Sequence, residues 1–486
     1  MLKLKDPSLL RQQAYVAGEW VDADNGATVA VTNPANGEHI GVVPMCGTAE
    51  TLRAIAAADV AQRQWRDVPA KDRSAILHRL NDLMLQHQDD LALILTTEQG
   101  KPLAEARGEI VYAASFIEWF ADEARRVYGD TIPATTGDKR ILAIKQPVGV
   151  TAAITPWNFP TAMLTRKAGP ALAAGCSMVV KPATQTPYSA LAFAELAARA
   201  GVPKGLLSVL TGSAKDIGGA MTASPVVRKL TFTGSTEVGR TLMRQCADTI
   251  KKLSLELGGN APFIVFDDAD LDAAVDGAMI SKYRNTGQTC VCANRLYVQR
   301  GVLQAFTDKL VARVKALKVG SGVDDGVTQG PLIDAKAVAK IEEHIADARS
   351  KGAEVVTGGR RHALGGLFFE PTVLTGVTAD MLVAREETFG PLAPIFVFDT
   401  EAEVLERAND TEFGLAAYFY SRDVGRVMRV AERLESGMVG VNTGLISTAE
   451  APFGGVKQSG LGREGSRYGL DEFLEIKYVC LGGVDK

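Results

Sequence analysis

Between residues 148 and 246, short apolar segments alternate with helical ones, and this alternation restricts the fold more than any other feature of the chain. The apolar segments are 148–154, 176–180, 206–210 and 226–232, and glycine or proline residues bound them. Strands separated by helices form βαβ units with right-handed crossovers, so the strands lie parallel. The sequence therefore predicts an α/β fold with a doubly wound parallel sheet, which binds ligands beyond the carboxyl ends of its strands.

The rest of the chain requires more than this one sheet, because 486 residues exceed what a single hydrophobic core can serve. A second alternation of strands and helices runs from 262 to roughly 441, and strand-rich segments occupy 129–147 and 466–486. An apolar strand at a chain end leaves an exposed edge, and a neighbouring subunit is its natural cover. We therefore expect two or three domains and a homo-oligomer.

Charge and hydropathy exclude several classes of partner. The net charge of -4 disfavours a nucleic-acid or anionic-membrane surface. No apolar run approaches the ~18 residues that span a bilayer, and the first residues lack a signal-peptide core. The sequence thus predicts a cytoplasmic protein that acts on a small molecule.

The polar segment 285–292 is a candidate for chemistry. It lies between a helical segment at 271–283 and a strand-like run at 295–298, and it carries Cys290 and Cys292. A cysteine on such a loop is presented on a surface, as a small hydrophobe or as a thiol activated by a special environment. One residue separates the two cysteines and no histidine is near, so no metal site is expected. Cys292 either packs under the loop or forms a labile disulfide with Cys290.

Two strand ends offer groups that suit a phosphorylated cofactor. At 233–239 a strand runs directly into a helix, where Gly234 lets a ligand approach the backbone. Ser235 offers a hydroxyl and an N–H to that ligand, or it simply caps the helix. Lys181 and Thr184 follow another strand, at a place where an acidic residue would bind the ribose 2′-OH of NAD. A cation and a hydroxyl there favour NADP, unless Lys181 is solvated and Thr184 caps the next helix.

Glu256 and Asn158 have side chains suited to proton transfer and to stabilising negative charge. Glu256 lies among leucines, which raise a carboxyl pKa toward that of a general base; the alternative is an exposed glutamate at a strand end. Asn158 directs its amide N–H toward an oxyanion or forms a turn before Pro160. Residues 460–465 also fit the dinucleotide pattern Gly-x-Gly-x-x-Gly, but no strand precedes them, so we expect a flexible loop.

Taken in order, several segments resemble the NAD(P)-dependent aldehyde dehydrogenase superfamily over nearly the whole chain. They include Thr155-Pro156-Trp157-Asn158-Phe159-Pro160, Leu255-Glu256-Leu257-Gly258-Gly259, Gly287-Gln288-Thr289-Cys290, Glu387-Thr388-Phe389-Gly390-Pro391 and Pro452-Phe453-Gly454-Gly455. Residues 163–167, 260–267 and 281–292 look like the succinate-semialdehyde dehydrogenases within it. The resemblance implies oxidation of succinate semialdehyde to succinate, with NADP preferred and NAD possible. Glutarate semialdehyde or another aldehyde is the alternative substrate, and a cofactor-free cysteine hydrolase is an alternative of another class.

The same resemblance implies a role for individual residues. Cys290 would be the nucleophile, Glu256 the general base and Asn158 the oxyanion donor. The residues that would contact the cofactor are Trp157, Asn158, Lys181, Thr184, Gly234, Ser235, Leu257, Glu387 and Phe389. Those that would contact the distal carboxylate of the substrate are Arg166, Arg284 and Ser447.

The resemblance also implies a domain organisation and an assembly. A cofactor-binding domain would comprise 1–128 and 148–256, and a catalytic domain would comprise 257–455. Residues 129–147 and 466–486 would be oligomerisation segments of a dimer or tetramer, with 456–465 as a connecting loop.

Overall fold

Two large sheets organise the computed structural model, which describes residues 2–485. The strands of the first sheet are β1 (Ala14–Val16), β2 (Glu19–Val21), β7 (Val150–Ile154), β8 (Ser177–Lys181), β9 (Leu207–Val209), β10 (Val227–Thr233), β11 (Lys252–Glu256) and β21 (Gly460–Leu461). Their order is β2-β1-β9-β8-β7-β10-β11-β21. The five central strands are parallel, whereas β1, β2 and β21 run antiparallel to their neighbours.

Helices cover the first sheet. The crossover helices are α5 (Pro160–Ala174), α6 (Tyr188–Ala200), α7 (Ala214–Ala223) and α8 (Thr236–Ala247). Four earlier helices are α1 (Thr48–Trp65), α2 (Ala70–Gln86), α3 (Gln88–Gln99) and α4 (Leu103–Glu123). Helices α5 and α6 are buried on nearly every side, and α4 packs along α5.

The second sheet repeats the parallel arrangement. Its strands are β12 (Ala261–Val265), β13 (Ala293–Gln299), β14 (Glu354–Thr357), β15 (Thr372–Thr375), β16 (Leu392–Phe398), β18 (Ala416–Tyr420) and β19 (Met438–Val441). They lie in the order β14-β15-β16-β13-β12-β18-β19, and only the β14–β15 pair is antiparallel. Its helices are α9 (Leu271–Tyr283), α10 (Leu303–Lys315), α11 (Ala335–Ser350), α12 (Leu382–Arg385), α13 (Glu401–Asn409) and α14 (Val424–Arg433).

Three small sheets and one short helix complete the structure. The strands are β3 (Thr28–Thr32) with β4 (His39–Pro44), β17 (Phe413–Gly414) with β20 (Val456–Lys457), and β5 (Asp130–Ile132) with β6 (Lys139–Pro147) and β22 (Leu474–Gly482). Helix α15 (Ser466–Asp471) precedes β22. Short 3₁₀ turns occupy Pro7–Leu9, Ala124–Arg126, Arg284–Gly287 and Arg300–Val302. No helix within residues 2–485 is long and apolar enough to cross a membrane.

The α/β architecture expected from the sequence is confirmed, and the elements lie close to their predicted positions. Helix α9 begins and ends at the predicted residues, and the four apolar segments predicted as strands of the first sheet are displaced by at most two residues. Near the start of the chain, the antiparallel strands β1 and β2 extend the edge of this sheet. The division into domains at the boundaries given above stays a prediction.

One expectation for the C-terminal region is wrong. Residues 456–465 are not a flexible connecting loop, because β20 pairs with β17 and β21 pairs with β11. Gly460 has a φ of 136°, and a Cβ there would collide with the carbonyl oxygen of Leu255. The glycines of this segment therefore allow close approach to a strand, not to a pyrophosphate. The segment also delivers Glu464, which is buried.

Candidate active site

A cavity of about 200 Å³ opens at the carboxyl ends of β7, β10 and β11 and faces the loop that carries Cys290. Parallel sheets bind ligands at this edge because their strand ends and helix starts meet there. The cavity is lined by Pro156, Trp157, Asn158, Thr233, Gly234, Ser235, Leu257, Gly258, Cys290, Glu387 and Phe389. The structure thus gathers eight of the predicted site residues from distant parts of the chain, namely Trp157, Asn158, Gly234, Ser235, Leu257, Cys290, Glu387 and Phe389.

The loop of Cys290 is not the surface loop that its polarity suggested. Asn285 to Thr289 are buried, and only Cys290 is partly exposed, at the cavity. The polar groups of this loop bond to protein instead of water. Asn285 is an example, because its N–H donates to Glu105 and its side-chain amide donates to the carbonyl oxygen of Asn158. The polarity of these residues in the sequence could not show whether their hydrogen-bond partners would be water molecules or protein groups.

Burial raises the pKa of the Cys290 thiol to about 12, although the positive charges of Arg166 and Arg284 act against this rise. The carboxylates of Glu387 and Glu256 add to it. The thiol is therefore protonated at neutral pH in this state, and it must lose its proton before it can attack an electrophile.

Asn158 lies beside the thiol with its amide directed at the same loop. Its Nδ2 donates to the carbonyl oxygen of Gln288 at 3.2 Å, and its Oδ1 accepts from the N–H of Phe159 at 3.1 Å. Asn158 can therefore form the local turn through Oδ1 and still act as an amide donor through Nδ2. A second N–H of the same amide remains to serve an oxyanion near Cys290.

Glu256 ends β11 and is 3% exposed, so it is not an exposed strand-end residue. Within residues 2–485 neither of its carboxylate oxygens has a hydrogen-bond partner. Burial raises the pKa of Glu256 well above its ordinary value, and Glu464 raises it further, whereas Arg166 and Lys167 lower it. A carboxylate whose pKa is raised in this way is a stronger base than an ordinary glutamate, as suits a general base.

Arg166 is buried at the far side of this group of charges. Its Nη2 lies 2.7 Å from Glu464 Oε2, and its guanidinium stacks 3.9 Å from the ring centre of Phe453. Glu464 also pairs with Lys167. One carboxylate thus serves two buried cations, and a substrate carboxylate would share Arg166 with Glu464. The role of Arg166 in the carboxylate clamp stays a prediction.

Arg284 differs from Arg166 in this respect. It is half-buried over the ring of Phe159, with its guanidinium carbon 5.1 Å from the ring centre. It forms no ion pair with any residue of 2–485. Arg284, Arg166 and Cys290 all lie close enough to the buried Tyr112 hydroxyl to influence its pKa, and Ser447 lies beside it. Within that range Arg284 is thus a cation without an ion-pair partner on the approach to Cys290, although its charge reaches Glu105 and acts against the burial that raises the pKa of that carboxyl group.

Lys181 ends β8 and Thr184 follows it, one strand away from the cavity. The Lys181 ammonium is buried and donates to the carbonyl oxygen of Pro182 at 2.9 Å and to Thr184 Oγ1 at 3.2 Å. Burial lowers the pKa of Lys181 to about 8, and no acidic group within residues 2–485 offsets it. A buried cation of this kind fits an anionic or hydroxyl-bearing ligand.

The remaining cofactor candidates continue from Lys181 toward Cys290. Ser235 caps α8 by accepting the N–H of Val238, so the helix start that could hold a phosphate is formed. Glu387 Oε1 accepts the N–H of Gly259 at 3.0 Å, and burial raises the pKa of Glu387 to about 7. These groups fit an extended dinucleotide whose reactive ring lies near Cys290.

Cys292 points away from the cavity. Both it and Cys290 are free thiols. Cys292 Sγ is buried 3.3 Å from Lys282 Nζ, which also donates to Asn294. A disulfide between Cys290 and Cys292 requires Cys292 to leave this contact. It stays a prediction, and it is contradicted if a Cys292→Ala variant keeps the same peroxide sensitivity and the same recovery with reductant.

Sequence reasoning missed a set of polar residues on α3, on α4 and in the connection between them that support the site: Gln99, Lys101, Glu105, Glu109 and Tyr112. Glu105, Glu109, Tyr112 and Phe116 are spaced along one face of α4 at i, i+4, i+7 and i+11. Two carboxylates on the same face as an aromatic pair were the signal that could have revealed them.

Comparison with known proteins gives consistent results. Residues 20–479 match the model of the aldehyde dehydrogenase family. The chain is 70% identical to a glutarate-semialdehyde dehydrogenase of Pseudomonas aeruginosa, covering 99% of this chain and 100% of that one. It is 66% identical to an NADP(+) succinate-semialdehyde dehydrogenase of Escherichia coli, with the same coverage. A crystal structure of succinate-semialdehyde dehydrogenase from Burkholderia pseudomallei is 67% identical, with a TM-score of 0.98 and 99% of each chain covered.

Proposed function

Because the chain belongs to the aldehyde dehydrogenase family, we propose that it oxidises short aldehydes with a distal carboxylate, first of all succinate semialdehyde, with NADP preferred. The observation that carries this proposal is the guanidinium of Arg284, which lies on the approach to Cys290 and forms no ion pair within residues 2–485. Glutarate semialdehyde is a second candidate, favoured by the 70% identity to an enzyme named for it. Family membership leaves the cofactor-free cysteine hydrolase without support.

The chemistry follows from the positions of three side chains. Cys290, which is partly exposed at the cavity, first releases its thiol proton to solvent. The thiolate then adds to the aldehyde carbon, and the amide of Asn158 with the backbone N–H of Cys290 stabilises the alkoxide. Loss of hydride converts this adduct to a thioester on Cys290, and Glu256 then takes a proton from the water that releases the acid. A bound nicotinamide dinucleotide supplies the hydride acceptor.

Support for a carboxylate-bearing substrate comes from the balance of charges around the approach. Glu464 pairs with Arg166 and Lys167, so Arg284, which forms no ion pair within residues 2–485, is the cation best placed to bind a substrate carboxylate. The Tyr112 hydroxyl lies beside Ser447 and within electrostatic reach of Arg284, and both hydroxyls are candidate donors to the same anion. A charge-assisted contact of this kind contributes about 1.5–3 kcal/mol, which is roughly ten- to a hundred-fold in specificity.

Support for NADP comes from Lys181 and Thr184. The buried ammonium of Lys181 has no acidic partner within residues 2–485, and Thr184 offers a hydroxyl where an acid would favour NAD. A 2′-phosphate would supply the missing negative charge.

A homo-oligomer, either a dimer or a tetramer, is part of the proposal. The sheet of β5, β6 and β22 presents β22 as an edge strand at the C-terminal end of the chain. Ile476 and Tyr478 on this strand are 75% and 65% exposed. Exposed apolar side chains on an edge strand are usually covered by a partner.

A substrate panel with each cofactor tests the function. We expect kcat/KM for succinate and glutarate semialdehydes to exceed that for butanal by about tenfold or more, because only the semialdehydes neutralise Arg284. One methylene contributes about 1–3 kcal/mol, so the ratio between the two semialdehydes identifies the main substrate.

The Arg284→Met variant is the matched control for this panel. It should lose most of the preference for semialdehydes while kcat/KM for butanal changes by less than about twofold. A wild-type enzyme that prefers butanal, or an Arg284→Met variant that keeps the full preference for semialdehydes, would contradict the proposed substrate class.

A further inference from the structure

Lys101 is a buried lysine close to the site that the reaction scheme does not use. It lies between α3 and α4 and is 1% exposed. Its Nζ donates to the backbone carbonyl oxygen of Asn158 at 2.7 Å and to Glu109 Oε2 at 2.6 Å. The ring centre of Phe159 is 3.8 Å from the same ammonium. Two of these neighbours, Asn158 and Phe159, belong to the segment that carries the oxyanion amide, and the third, Glu109, bonds to the start of the helix that follows it.

Glu109 holds that segment from its other end. Its Oε1 accepts the N–H groups of Thr161 at 3.0 Å and Ala162 at 3.2 Å, in the first turn of α5. The N-cap residue of α5 is Phe159, whose side chain has no polar atom that could accept a hydrogen bond from those amides. Glu109 thus provides the missing cap, and the Lys101–Glu109 pair fixes the backbone on both sides of Phe159.

The catalytic loop is tied to the same carbonyl group. Asn285 Nδ2 donates to the carbonyl oxygen of Asn158 at 3.0 Å and to that of Gln288 at 3.1 Å. Gln99 in turn holds Asn285 Oδ1 at 3.0 Å. The carbonyl of Asn158 therefore joins the two segments that donate to the oxyanion, and Lys101 is its charged partner.

We propose that Lys101 and Glu109 are positioning residues that hold the amide of Asn158 in register with the alkoxide formed at Cys290. Neither residue touches the reacting atoms. An oxyanion donor must lie about 2.7–3.1 Å from the developing charge, and a displacement of about 1 Å can cost roughly a hundredfold in rate. A buried ion pair often adds nothing to the free energy of unfolding. We therefore attribute the two charges at these positions to their effect on the geometry of the backbone.

A double-mutant cycle with Asn158 tests this inference, which rests on the proposed oxidation but not on which aldehyde is oxidised. Lys101→Met should lower kcat by about tenfold or more with KM changed by less than about twofold, because the amide acts in the transition state. Asn158→Ala should lower kcat by roughly 10²–10³. In the Asn158→Ala background, Lys101→Met should cost less than about twofold, because the amide that it positions is gone.

Two further variants separate positioning from general stabilisation. Lys229→Met removes another buried lysine, which bonds to Ser254 and Glu472 away from the cavity, and its effect should simply add to that of Asn158→Ala. The double variant Lys101→Met, Glu109→Gln avoids an unpaired buried carboxylate and keeps an acceptor for Thr161 and Ala162. It replaces Lys101→Met in the cycle if the single variant does not fold.

The outcomes distinguish the two proposals. If Lys101→Met lowers kcat by the same factor in the wild type and in the Asn158→Ala background, the positioning role is contradicted, even in an active enzyme. A wild-type enzyme that oxidises no aldehyde of the panel contradicts the proposed function and this inference together. Coupling between Lys101 and Asn158, with additive behaviour of Lys229, supports the inference whichever aldehyde proves best.

Discussion

At the scale of single residues, Glu256 shows how burial prepares a group for chemistry. Its carboxylate oxygens have no hydrogen-bond donor within residues 2–485, and its pKa is raised chiefly by burial. Because a general base acts in its ionised form, the rate of acyl-enzyme hydrolysis should rise as the pH rises through this pKa and level off above it.

The Glu256→Gln variant tests this role. We expect kcat to fall by roughly 10²–10⁴ and to lose its rise with pH, because the amide cannot take a proton from water. Thioester formation should survive, so a rapid burst of about one NADPH per active site should precede the slow steady state. A variant with wild-type turnover, or with no burst, would contradict the assignment to hydrolysis.

Thr184 is the residue at which cofactor preference is most directly tested. A Thr184→Glu change places a carboxylate beside Lys181, where it would repel a 2′-phosphate and accept the 2′-OH of NAD. The ratio of kcat/KM for NADP to that for NAD should fall by about tenfold or more, since juxtaposed like charges cost several kcal/mol. Thr184→Val, which adds no charge, is the control and should change the ratio much less. Unchanged NADP selectivity in Thr184→Glu would refute the role of this position.

At the scale of elements, helix α4 does more than its sequence pattern indicates. The spacing of Ile110, Ala113 and Ile117 predicts a helix that packs through an apolar face and exposes its charges. The structure confirms the helix, but Glu109 is buried and Tyr112 half-buried on the side that meets the site. Local periodicity assigns the helix, whereas the use of each charged residue depends on which element packs against it.

The segment 456–465 leads to the same conclusion, although here the local pattern indicated no regular structure at all. Its glycines and polar residues have no strand periodicity, so the sequence indicated a loop. In the structure, β21 pairs with β11, and Glu464 reaches Lys167 and Arg166. Pairing with a strand about 200 residues away is a long-range interaction that a local pattern does not encode.

At the scale of the whole molecule, the edge strand β22 sets the expectation for assembly. Replacing both Ile476 and Tyr478 by aspartate should convert the oligomer to a smaller species, because charges on an exposed apolar edge oppose association. Light scattering coupled to gel filtration measures the mass. Val424→Asp changes another apolar residue, 77% exposed on α14, and should leave the mass unchanged. A wild-type monomer, or an aspartate variant of unaltered mass, would contradict this interface.

The sequence by itself determined the α/β class, the position of most strands and helices, and the candidates Cys290, Glu256 and Asn158. It could do so because alternation and turn residues are local signals. The three candidates each had a structural alternative, and the order of the motifs along the chain singled them out. Only the tertiary structure decided that Glu464 pairs with Arg166 and Lys167 while Arg284 forms no ion pair within residues 2–485, and that Lys101 bonds to Asn158. The charge available to a ligand and the direction of an amide depend on neighbours that come together only when the chain is folded.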